Sequence, residues 1–150
     1  MRECLLATVV LMASMGLAWA EDTLLGPDAN KNLVRDDVEA YIDARVTDSA
    51  RHRQALKQFA VAIQRGLLAT TKEESMEAAT AETRSIECLS YLGFRTQDRW
   101  KEVLALTLNT DARLLANEAH QDRITGAVFS SLPDNQQRSE CAFDAEALPD

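Results

Sequence analysis

Strand-forming runs are missing from this 150-residue chain. No alternating β-branched stretch survives for more than a few residues, which excludes sheet and barrel architectures. Proline occurs three times and glycine five times, so long linkers and a glycine-rich phosphate loop are excluded as well. Only two histidines occur, His52 and His120. No H-E-x-x-H, E-x-x-H or C-x-x-C-H arrangement is present, so zinc-hydrolase, di-iron and c-type haem sites fail at the first step. Met76 and His120 have nothing to link them as a b-type haem pair. No G-x-S-x-G elbow occurs. Carboxylates are plentiful, but Asp36-Asp37, Glu73-Glu74, Asp43 and Asp48 read as exposed faces or helix starts. Nothing around them indicates the burial or partner that catalysis needs. The sequence therefore predicts no catalytic residue, no cofactor and no metal ligand. N-x-S/T acceptors are absent too, which favours a periplasmic route over a eukaryotic secretory one.

What is present begins with a leader. Arg2 is followed by apolar or small residues over 4–18, and Ala18-Trp19-Ala20 has the A-x-A form of a signal-peptidase site. The apolar run is too short for a good membrane span. Residues 1–20 are read as a signal peptide and 21–150 as one exported domain, periplasmic or secreted, with no stable membrane insertion after cleavage. Against 16 basic residues stand 24 acidic ones, a net charge of −8. An acidic surface argues against nucleic acid as a partner. The leader takes Cys4 with it and leaves Cys88 and Cys141. Two cysteines in an exported chain predict one disulfide within a monomer. It would press Phe143 against the bundle near Leu89 and Leu92.

Helical periodicity fills the rest. After a mobile lead over 21–29, a first helix is expected from about Asn30, with Leu33, Val34, Val38, Tyr41, Ile42 and Val46 inward and Arg35 outward. Thr47-Asp48-Ser49 supplies N-cap residues, so a second helix is expected from about Ser49 with Leu56, Phe59, Ala60, Ile63 and Leu67 on its face. One continuous helix over 30–68 is the competing reading. Thr71 and Glu74 form a capping box, and Gly93 is placed to stop that helix after Leu92. The seam between them is expected to use Met76, Ile86, Cys88, Leu89, Leu92 and the alanines. A further helix after Thr96 or Gln97 would bury Trp100, Val103, Leu104, Thr107 and Leu108. An approximate period through Leu114, Leu115, Ala119, Ile124, Ala127, Val128, Ser131 and Leu132 extends helix to Pro133. Residues 134–150 read as an irregular tail. The sum is an all-α, up-and-down bundle of four to five helices with its tail tied by one disulfide. The stretch from Thr71 to Leu108 carries the clearest signals and is expected to organise the fold.

Arg51-His52-Arg53 is a basic cluster on an acidic protein. It is usually a solvated helix start, and its functional reading is a contact to an anion or a partner. With no chemistry in view, the predicted function is a non-catalytic protein-interaction module: an immunity, inhibitor or adaptor protein whose partner is another protein. The alternative is a small all-helical enzyme or ligand binder of the exported chorismate-mutase size class. Arg35, Arg45, Arg65 and Lys57 supply the residue types such a site requires, but not at that family's spacing, so the analogy is one of size and class only.

Overall fold

Ser49 starts the helix that the others surround. The computed structural model describes residues 23–93 and 99–149. Among these residues there are five α-helices, a 3-10 helix and no strand. They are α1 (Asp36–Arg45), α2 (Ala50–Leu68), α3 (Lys72–Tyr91), α4 (Arg99–Thr107) and α5 (Asp111–Arg123), then the 3-10 helix Asp134–Glu140. The bundle is therefore all-α as predicted, with one helix more than expected. No helix among the described residues is long and apolar enough to cross a membrane. The leader with its A-x-A site, and Phe94, Thr96 and Gln97, lie outside the described residues.

The break between α1 and α2 is real. The Ser49 hydroxyl accepts from His52 N at 3.2 Å and caps α2. α2 buries Ala55, Leu56, Phe59, Ala60, Ala62, Ile63, Gln64, Gly66 and Leu67, an arc of a little over half its circumference. It packs on α1, α3, α4 and α5. The organising element is thus α2 and not the Thr71–Leu108 stretch: its wide buried arc meets four other helices.

α1 starts six residues later than expected. Asp28 accepts from the backbone N–H of Asn32 and Leu33, and Asn32 accepts from Val34 N. These side-chain turns compete with helix formation and hold Lys31 and Leu33 at positive φ. Val34, Val38, Ile42 and Val46 are buried as predicted. Leu33 is only half-buried.

Thr71 and Glu74 close the capping box on α3, with Glu74 N donating to Thr71 Oγ1 at 3.1 Å and Thr71 N to Glu74 at 3.1 Å. α3 ends at Tyr91, and Gly93 takes a φ of 74°. Its seam is rotated from the predicted one. Ser75, Ala78, Ala79, Ser85, Glu87, Cys88 and Leu89 are buried, and Ile86 is exposed. Small residues face α2 because two helices approach closely only where side chains are short.

On α4, Val103 and Thr107 are buried, while Trp100 is half-buried. The indole meets Phe59 edge-on, ring centroids 6.1 Å apart. Lys101 Nζ lies 5.6 Å over the Trp100 ring.

α5 departs most from expectation. It ends at Arg123, ten residues before Pro133, because Thr125 and Ala127 form tight turns onto Asp122 and Ile124 and Gly126 adopts a φ of 83°. Its buried residues are Arg113 and His120. Leu114, Leu115 and Val128 are exposed.

The tail returns across α2 and α3. Cys88 and Cys141 form the predicted disulfide, their Cα atoms 4.9 Å apart. Phe143 packs on the core cluster that contains Leu89. The tail is more ordered than an irregular strap: Gln137 and Ala145 are buried, and Glu87 Oε1 accepts from Leu132 N at 2.6 Å.

Candidate functional site

Buried polar side chains in this fold mostly hold backbone. Arg35, expected to face outward, is buried. Its guanidinium donates to Leu106 O and Thr107 O at the end of α4, where the helix dipole favours a cation. Asp37 receives the same guanidinium at 2.6 and 2.7 Å, and that hydrogen bond holds the Asp37 carboxyl below the usual range. Arg113 donates to Asn109 Oδ1 and Thr23 O, and Gln64 donates to Leu24 O. The lead is thereby fastened from Thr23 onward. Sequence reasoning did not place these roles, since their acceptors lie far away along the chain.

Arg51, His52 and Arg53 are half-buried on the first turn of α2. Arg53 Nη1 donates to Val46 O at 2.7 Å, and the His52 ring Nε2 lies 3.1 Å from Leu92 O. These two side chains bind the carboxyl ends of α1 and α3. The Arg51 Nε is buried.

A groove of about 690 Å³ lies between α2, α3 and the tail. α2 supplies Gln54, Lys57, Gln58, Val61, Ala62 and Arg65, α3 supplies Ala81 and Arg84, and the tail supplies residues 139–143. The spacing of Gln54, Gln58, Val61 and Arg65 is one helical face. Gln58 builds the far wall, donating to Glu140 O at 2.8 Å and accepting from Ala142 N at 2.9 Å. The disulfide fixes the same wall at Cys141. Arg84 pairs with Glu140 at 3.3 Å. Lys57 Nζ lies 2.8 Å from Glu39 and 3.0 Å from Asp43. Burial opposes its charge, but those two hydrogen bonds prevail and raise its pKa. Lys57, Arg65 and Arg84 line the groove together with one carboxylate, Glu140, which pairs with Arg84. Arg45, the fourth cation considered from sequence, stacks 5.8 Å over the Tyr41 ring and does not line the groove. Arg35 is likewise elsewhere, under α4. Sequence reasoning missed Arg84. Its own neighbours on α3 carry no signal of a groove wall, because the tail that faces it lies far along the chain.

No protein-family model, curated protein or solved structure matches the chain. The reading of the groove rests on its own residues. Among the described residues, no group of three or more His, Cys, Asp or Glu side chains is placed to hold a metal ion.

Proposed function

We propose that this chain is an exported, non-catalytic protein-interaction module that receives an acidic segment of its partner in the groove between α2, α3 and the tail. One observation carries the reading: Lys57, Arg65 and Arg84 line one groove on a protein of net charge −8, Lys57 paired with Glu39 and Asp43 and Arg84 with Glu140. Cationic donors grouped at one groove of an acidic molecule orient a complementary segment, whose carboxylates exchange with the ones already paired there. The rigid wall adds to it, because a partner does not have to order the tail on binding. The leader and the disulfide support a periplasmic or secreted location, since disulfides persist in oxidising compartments. Immunity, inhibitor and adaptor roles all use such a scaffold. A contact through Arg51, His52 and Arg53 is the weaker choice, because two of the three hold helix ends.

The second reading, a small all-helical enzyme or ligand binder, is favoured by the groove's volume of about 690 Å³. That lies within the range of about 300–1,000 Å³ common for small-molecule sites.

Affinity capture from the exported fraction of the producing host, with the wild type beside an Arg65→Glu/Arg84→Glu variant, separates these readings. Retention of one partner by the wild type and its loss from the variant is expected. A partner held equally by both removes the groove as the contact. Thermal stabilisation by a small polycarboxylate, with no protein captured, selects the ligand-binding reading.

A further inference from the structure

Away from the groove, a fully buried histidine meets a partly buried glutamate where three helices come together. His120 on α5 is fully buried, and neither ring nitrogen makes a hydrogen bond to a protein group among the described residues. Its Nε2 lies 3.3 Å from Oε1 of Glu82 on α3. Gly66 on α2 closes the third side: a Cβ there would stand 3.0 Å from Glu82 Oε1 and 3.2 Å from His120 Nε2. Arg123 on α5 acts against a charged ring, while its Nη1 donates to Ala69 O at the end of α2.

We propose that Glu82 and His120, side by side, carry one proton between them and so stay neutral as a pair, a clasp that fastens α5 onto α2 and α3, and that losing this proton loosens α5. With one proton the pair is neutral overall, whichever side chain holds it. Removing that proton leaves a carboxylate beside a neutral ring with no charge to balance it. Adding a second creates a buried cation beside Arg123. Either change disfavours the closed arrangement.

α5 is unusually exposed to such a change. Its buried residues are Arg113 and His120, and Leu114 and Leu115 point outward. Its attachment therefore rests on polar contacts more than on apolar area. Burial raises the Glu82 carboxyl to about 7. Burial and then Arg123 push His120 below its ordinary value. Loosening thus sets in as pH rises through about 7.

Hydrogen exchange of the oxidised full chain tests the clasp, with rates corrected for the intrinsic effect of pH. Between about pH 6 and about pH 8.5, protection over α5 falls about tenfold, whereas that of α2 changes much less. Glu82→Gln has no proton to lose in this range and abolishes the fall. A wild-type α5 whose protection does not change, or an equal fall in Glu82→Gln, overturns the proposal. Should that variant not fold, carbon NMR of the wild-type carboxyl decides. Titration of Glu82 near 7, in step with α5 amide shifts, supports the clasp, and titration near its ordinary value overturns it.

Discussion

Glu82 and His120 respond to pH in opposite senses. The raised carboxyl pKa means that Glu82's contribution to stability is complete below its unfolded value and is lost as pH rises through about 7. The lowered ring pKa means that His120's contribution is present above its unfolded value and lost as pH falls through the folded one. Glu82→Gln removes only the first slope. Urea unfolding should show the variant gaining on the wild type as pH rises from about 4.5 to about 7.5, by up to about 3 kcal/mol. A constant difference across that range contradicts the assignment. Gly26 offers a second residue-scale test. Its φ is 66°, and a Cβ would stand 2.4 Å from Arg35 Cδ and 3.2 Å from Arg113 Nη2. Gly26→Ala should cost about 1–3 kcal/mol in chemical denaturation, from backbone strain and from displacing a buried arginine.

At the scale of elements, local chemistry was legible and facing was not. Ser49, the Thr71–Glu74 box and Gly93 mark helix ends by interactions within a few residues, and each occurs where the sequence places it. Thr71→Ala should lower α3's contribution by about 1 kcal/mol, read from the thermal midpoint. Periodicity failed on α5 because it counts Leu114 and Leu115 as core. Arg113 and His120 face inward there, toward acceptors and helices far away in sequence. The same reason hid Arg35, whose acceptors Leu106 O and Thr107 O belong to α4. Trp100 was expected to be buried and is half-buried. Its replacement by alanine should therefore cost about 2 kcal/mol in urea unfolding, less than the roughly 3–5 kcal/mol typical of a full core site.

For the whole molecule, the disulfide was legible by elimination, since two cysteines remain once the leader expected over residues 1–20 is set aside. The groove was not. It exists only because the tail crosses α2, and the Gln58 contacts that hold it there join residues more than eighty positions apart. Reducing Cys88–Cys141, which spans a sequence separation of 53, should remove about 4 kcal/mol on the chain-entropy account and lower the melting temperature. If the groove receives a partner as proposed, the reduced protein should also lose most of that capture, because Cys141 stands in the groove wall.

One contact of the tail also sets a timetable. Ala50 N, at the start of α2, donates to Pro149 O at 3.1 Å. A chain made from its amino end presents α2 long before residue 149 exists. Until the tail arrives, the central helix is without part of its cover, and that surface is open to holding proteins or to other unfinished copies. Full cover of α2 is thus deferred until the tail has been made, and a chain halted before Glu140 lacks both the disulfide and the Gln58 contacts that close it.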